Sequence, residues 1–253
     1  MNEPLQVRLK DIHGTRYERI LTYPTADQGQ ADARVKELTS IGVTAIRFTG
    51  HTTIGGIPIL GKGCVGIVTQ AIIDGKPVAI KMRRLDADRP SMDEEARLLR
   101  LANAVKVGPR LIAATTNLLA MELVDGVPLF RWAEGSVIKR SVLKRVLSHL
   151  LDACFRLDAV GLDHGELSHA PRNVLIGNED EACIVDFESA SMVRRMANVT
   201  SLLQYFLFGS LSKTLHSPKI FPAKKKILKS LTEYKREGSI ESYEALLQTL
   251  NLG

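Results

Sequence analysis

The sequence predicts an α+β protein, with antiparallel hairpins gathered in its first half and helices in its second. Three observations carry that expectation. Between residues 57 and 82, short apolar and β-branched runs alternate with glycine turns. From residue 92 onward a segment repeats apolar side chains at helical spacing, and 137–160 extends a second such pattern. Beyond about residue 190 the pattern is of helix and loop throughout.

Taken in chain order, Tyr17–Tyr23 is expected as a strand, Gln28–Ser40 as a helix and Val43–Thr49 as another strand. Fifty residues are marginal for an independent domain, so residues 1–50 are expected to pack on the N-terminal lobe that begins near residue 51. The stretch 57–82 reads as strand, glycine loop, strand, turn, strand. Asp74-Gly75 is a two-residue hairpin signal, and the fifteen steps from Gly66 to Lys81 fold two strands back on each other. Lys81 therefore returns beneath the glycines. Ser91 is read as a helix N-cap with Glu94 as its capping-box partner. In that helix Met92, Glu95, Leu98, Leu99 and Ala102 share one face. A carboxylate on an inward stripe needs a partner. Residues 110–114 and 117–124 are expected as a strand pair, and Val174–Ile176 and Ala182–Val185 as strands around an Asn178–Glu181 turn. In the last helices Ile227, Leu228 and Leu231 are read as one apolar face, with the lysines opposite.

The 253 residues suffice for one domain or for two lobes with a sizeable core. No apolar run approaches the roughly 20 residues that span a bilayer, and the first residues lack the apolar stretch of a signal peptide. Three scattered cysteines, Cys64, Cys154 and Cys183, show neither disulfide nor metal spacing. A cytoplasmic protein without a membrane partner is expected. The net charge of +6 is uneven. Residues 190–237 hold ten basic residues (Arg194, Arg195, Lys213, Lys219, Lys224, Lys225, Lys226, Lys229, Lys235 and Arg236) against Glu233 and Glu237. Such a segment suits RNA or an acidic partner, or it is a solvated helix face.

Phosphoryl transfer is mostly positioning and charge neutralisation, so residues that serve it should bind phosphates, hold magnesium and orient an acceptor. Gly61, Gly63 and Gly66 permit close approach of backbone N–H groups to phosphates. They precede a strand, whereas a dinucleotide-binding turn would open a helix. Lys81 ends VAIK, and a pair with Glu95 would aim its ammonium at phosphates.

With GKGCVGIV at 61–68, VAIK at 78–81, MELVDG at 121–126, HGEL at 164–167 and IVDFE at 184–188, the chain resembles the protein-kinase-like superfamily over roughly residues 57–190. HGEL, DFESAS and the NVTSL stretch at 198–202 resemble the small archaeal predicted serine/threonine kinases, relatives of the RIO kinases and of the kinase of the KEOPS tRNA-modification complex. The resemblance implies a bilobal fold: an N-lobe of antiparallel sheet plus a helix at 51–124, and a mainly helical C-lobe at 125–253. It implies magnesium and ATP, with contacts from Gly61, Lys62, Gly63, Cys64, Gly66, Val68, Ala79 and Lys81, and adenine read by Met121, Glu122 and Val124. It further implies His164 as a buttress of the catalytic loop, Glu166 in place of the aspartate base, and Asn173 and Asp186 as magnesium ligands.

The chain departs from that pattern in four ways. Glu166 is one methylene longer than aspartate. The loop to Asn173 is two residues longer, with Asp163 and His169 as alternative bases. Gly165 and Glu188 replace the arginine and glycine of regulated kinases. No APE-like motif follows Asp186, so no full activation segment is expected. The leading expectation is transfer of the ATP γ-phosphate to a Ser/Thr hydroxyl, of another protein or of the chain itself. The alternatives are a small-molecule kinase or ATPase working with a partner complex, and a nucleotide-binding scaffold that has lost catalysis.

Overall fold

Asp74 and Gly75 both adopt positive φ, 49° and 74°, the conformation of a two-residue hairpin turn. They join two long strands, β6 (Gly66–Ile73) and β7 (Lys76–Arg83), paired antiparallel from Ile73↔Lys76 to Gly66↔Arg83. This hairpin is the centre of the first of two compact units in the computed structural model, which describes residues 5–134, 138–209, 212 and 221–252, the side chains of 169–171 excepted. The first unit comprises Met1–Arg100 and Pro109–Leu123, the second Leu101–Gly108 and Val124–Gly253. The protein is of mixed α+β class with an antiparallel main sheet.

In the first unit β1 (Leu5–Arg8) and β2 (Val43–Phe48) extend the sheet on one side of the hairpin. On the other side lie β8 (Leu111–Ala114) and β9 (Leu118–Glu122). The order is β1-β2-β6-β7-β9-β8, with every pairing antiparallel. The two-residue β5 (Gly61–Lys62) pairs with β6 at the glycine loop, and β3 (Thr52–Ile54) with β4 (Ile57–Ile59) forms a separate hairpin. Strand alternation sorts side chains between two faces. Val78, Ile80, Met82, Leu118 and Ala120 enter a core shared with Leu38 of α1 (Gln28–Ser40) and with Ile12, Ile20, Ile46 and Phe48. Leu119 faces the other way, against Ala96 of α2 (Asp93–Ala104) and Met92 just before that helix. Lys81, odd among even-facing Ile80 and Met82, is thereby turned toward α2.

Residues 17–23 differ from the expected strand. They form turns and a short 3-10 stretch at Glu18–Ile20. Thr15 Oγ1 donates to the Ile12 carbonyl and accepts from Tyr17 N–H, and Gly14 N–H donates to Glu18. These local bonds occupy groups that a ladder would need. Ile20 and Leu21 are still buried, and Tyr17 stacks on Phe48 at 4.6 Å. Strand β1 escapes notice because its side chains are largely exposed and carry no alternation. Helix α1 spans the expected residues, capped by Asp27, which accepts from Gln30 N–H at 2.9 Å.

In the second unit α4 (Arg140–Ala159) buries Leu143, Val146, Leu147, Leu150, Leu151, Cys154 and Leu157, one continuous stripe. The sequence pattern places this helix at 137–160, and residue 137 lies outside the described residues. Strands β11 (Val174–Gly177) and β12 (Ala182–Ile184) form the anticipated hairpin, joined by β10 (Gly126–Pro128). The short helices α3 (Leu129–Glu134) and α5 (Ala170–Asn173) flank it. Helices α6 (Asn198–Phe208), α7 (Lys224–Glu237) and α8 (Ile240–Leu250) complete the unit. On α7 the buried stripe is Ile227, Leu231 and Tyr234, not the expected Leu228, which is 39% exposed. Leu228 sits one residue, about 100°, round from Ile227. Lys224, Lys225, Lys226, Lys229, Lys235 and Arg236 are exposed on that helix, whereas Lys213 and Lys219 lie outside the described residues. No described helix is long and apolar enough to cross a membrane.

Candidate functional site

The first unit contributes a buried ion pair under a glycine turn. Lys81 is 4% and Glu95 3% exposed, with Nζ donating to Oε1 at 2.8 Å. β7 supplies the lysine through strand alternation and α2 supplies the glutamate on its inward stripe. Met92, Leu98, Leu99 and Ala102 on that stripe are all buried, as the helical spacing requires. Glu94 differs from the capping-box expectation: its carboxylate takes both hydrogen bonds of Arg97, at 2.7 and 2.8 Å. Ser91 Oγ instead accepts from Asp93 N–H at 3.3 Å.

The glycine turn closes through Gly63 N–H to the Gly66 carbonyl at 2.8 Å. Arg84 donates to the Gly63 carbonyl at 2.9 Å and is itself paired with Asp86. Gly66 lies in close approach to the lysine: a Cβ there would be 3.0 Å from Lys81 Cγ and from the Met82 carbonyl oxygen and 3.1 Å from Lys81 Cε. Val68 is the cross-strand partner of Lys81, and Gly61 that of Val68. Cys64 is exposed, and the Lys62 ammonium lies over the Tyr23 ring at 4.8 Å. Ala79 pairs with Met121, and Val78 with Glu122, on β7 and β9. The first unit thus gathers Gly61, Gly63, Gly66, Val68, Ala79, Lys81, Glu95, Met121 and Glu122, while Val124 belongs to the second.

The second unit gathers His164, Glu166, Asn173 and Asp186 around the open end of the β11–β12 hairpin. Asn173 immediately precedes β11 and accepts at its backbone carbonyl from Val185 N–H at 2.9 Å. This holds Asn173 and Asp186 on adjoining strand ends. Asp186 itself has φ of +68°, a left-handed conformation rare for a non-glycine residue. His164 is fully buried, and its Nε2 faces the Val185 carbonyl at 3.1 Å. A carbonyl only accepts, so Nε2 carries the proton. Burial holds its pKa below the ordinary histidine range, and the ring is neutral. Its edge meets the Phe187 ring, centroids 5.0 Å apart.

Both oxygens of Glu166 are engaged. Oε2 accepts from Asn173 Nδ2 at 2.8 Å and Oε1 from Ser189 Oγ at 2.5 Å. The longer side chain, with its extra rotor, is therefore fixed at two points. With its Nδ2 given to Glu166, the Asn173 amide keeps Oδ1 as its acceptor. Asp186 and Asn173 then offer hard oxygen donors, and magnesium is commonly held by one or two carboxylates completed by phosphates and water. Both are oxygen donors of the kind that ion takes, while among the described residues no group of three or more His, Cys, Asp or Glu side chains could hold a metal ion.

Asp163, one alternative base, has another task. Its carboxylate is nearly inaccessible, ion-paired with Arg194 Nε and bonded to Ala197 N–H, and its backbone bridges Ser191 in both directions. The other, His169, has its side chain outside the described residues. Arg194 also donates to the Ser189 carbonyl at 2.7 Å, lying where a Gly165 side chain would be. A Cβ on Gly165 would overlap Arg194 Nη2 and come within 2.7 Å of the Ser189 carbonyl, at φ +88°. Gly165→Ala is accordingly expected to cost about 1–3 kcal/mol, from left-handed strain and displacement of Arg194. A thermal melt of that variant unchanged from wild type would refute this.

Three residues have roles that sequence reasoning did not assign, although Ser189 lies in DFESAS, Asn198 opens NVTSL and Arg194 belongs to the basic segment. Ser189 and Arg194 act through tertiary contacts alone. Asn198 opens the NVTSL stretch and is a buried hub: Oδ1 accepts from His164 N–H, and Nδ2 donates to Asp158 and to the Leu162 carbonyl. No protein-family model matches the chain, and no curated protein matches it.

Proposed function

We propose that the protein is an ATP- and magnesium-dependent phosphotransferase of the protein-kinase type, acting on a Ser/Thr hydroxyl. The observation that carries this reading is the Lys81–Glu95 pair. Burying two opposite charges is costly, and apolar residues of similar size would serve packing as well or better. Beneath a glycine turn, such a pair has a use: Glu95 fixes the direction in which Lys81 presents its ammonium to phosphates. When bound, magnesium ATP supplies the transferable phosphoryl group with part of its charge neutralised. Asp186 and Asn173 would hold the ion. Glu166 accepts the proton of the attacking hydroxyl. Neutral His164 braces the Val185 carbonyl, directly ahead of Asp186.

The test is a thermal shift with ATP at graded magnesium, together with release or transfer of γ-labelled phosphate. A magnesium-dependent shift is expected in the wild type. Asp186→Asn should abolish it and reduce turnover by about 10²–10³-fold, the scale for losing one preorganised electrostatic contact. A protein that melts identically with and without ATP at every magnesium level would refute the proposal.

A further inference from the structure

We propose that Ser189 is the chain's own phosphoryl acceptor, modified within the same molecule; this rests on the phosphotransferase reading. A general base works on a hydroxyl within hydrogen-bond reach. Ser189 Oγ already donates to Glu166 Oε1 at 2.5 Å, while Asn173 occupies the other carboxylate oxygen. The hydroxyl delivered to the candidate base is thus one of the chain's own, three residues after Asp186.

Ser189 is held there by the fold. Ala190 N–H bonds to the Phe187 carbonyl at 3.1 Å, Ser191 is bridged to Asp163 through both backbone groups, and Arg194 grips the Ser189 carbonyl. Neighbouring Ser191 is committed otherwise, its Oγ accepting from Val193 and Arg194 N–H groups. Ser189 is half-buried, so its hydroxyl is screened from bulk water yet reachable.

In the step itself, Ser189 Oγ forms the new bond to the γ-phosphorus of ATP. The bond from that phosphorus to the β,γ-bridging oxygen breaks, and ADP leaves with the electron pair. The serine proton passes to Glu166 Oε1 and then to solvent. The product phosphoserine carries nearly two negative charges, which the Glu166 carboxylate repels. The Arg194 guanidinium, already on the Ser189 backbone, is the cation at hand to receive it. Transfer is therefore single and self-limiting, and it frees Glu166 from its serine.

The experiment incubates the full chain with magnesium and γ-labelled ATP at several protein concentrations and locates the phosphate by peptide fragmentation. Nucleotide binding is followed in parallel by thermal shift. The expected result is one phosphate, on Ser189, gained with a rate constant independent of protein concentration. Ser189→Ala should lose it without a new site appearing, and Ser189→Thr should keep it. Glu166→Gln should slow it by about 10²-fold or more. A nucleotide shift with phosphate elsewhere, with free phosphate alone, or with a rate that rises with protein concentration would overturn the self-acceptor and leave the phosphotransferase reading standing. Absence of both nucleotide shift and transfer would overturn the two together.

Discussion

Alanine at Lys81 is expected to destabilise the protein by about 3–5 kcal/mol, the cost of removing one partner of a buried ion pair. Glu95 is 3% exposed and would keep its carboxylate inside the first unit with its 2.8 Å ammonium partner removed. For a chain of this size each kcal/mol moves the melting temperature by about 2–4 °C. The double variant Lys81→Met/Glu95→Leu removes both charges and keeps much of the volume. It is expected to return to within about 1 kcal/mol of wild type, or to exceed it. The same double variant should still fail to transfer phosphate, because the cation is gone. Stability restored without activity would assign the pair to chemistry and not to folding. A Lys81→Ala variant that loses less than about 1 kcal/mol in urea would contradict a buried, mutually dependent pair.

The second large effect is expected at Asp158. Its carboxylate accepts from Asn198 N–H at 3.1 Å, Asn198 Nδ2 at 2.7 Å, Val199 N–H at 3.3 Å and Tyr234 Oη at 2.9 Å. It therefore ties the end of α4 to the start of α6, and to α7 through the tyrosine. Asparagine there offers one acceptor oxygen and presents an N–H₂ group to the remaining donors. At about 1–3 kcal/mol for each buried donor left unsatisfied, Asp158→Asn should cost about 2–5 kcal/mol.

This residue also predicts a pH dependence. Burial raises the Asp158 pKa above the ordinary aspartate value, outweighing the four donors that lower it. A raised folded-state pKa means that the native state binds the proton more tightly than the unfolded chain does. Its contribution to stability is complete below the unfolded aspartate pKa of about 3.9 and is lost as pH rises through the higher folded value. The stability advantage of wild type over Asp158→Asn should accordingly be greatest in acid and shrink as pH rises. Denaturant titrations of both proteins across that range would measure it, and an advantage that grows with pH would reverse the assignment.

Much of this architecture was written in local chemistry. Asp74-Gly75 could only turn one way, so the register of β6 on β7 followed, and with it the return of Lys81 beneath Gly66. Helical spacing put Glu95 among Met92, Leu98, Leu99 and Ala102, and a carboxylate on that stripe already announced a cation opposite. Gln28–Ser40, β8–β9 and the β11–β12 hairpin were legible for the same reason: their periodicity and their turns agree.

Where local and long-range preferences competed, the folded chain chose. Tyr17–Tyr23 has the composition of a strand, but Thr15 and Glu18 draw its neighbours into turns. Leu228 lost its place on the buried face of α7 to Tyr234, whose hydroxyl finds a carboxylate on a distant helix. The surroundings of Glu166 were likewise hidden. Ser189 meets Glu166, Arg194 meets Asp163 and Asp158 meets Asn198 across 23, 31 and 40 residues of chain. Spacing along a strand or helix reports which face a side chain takes, because that depends only on backbone geometry. Which donor meets which acceptor across the fold depends on how whole segments pack, and no period in the sequence records it.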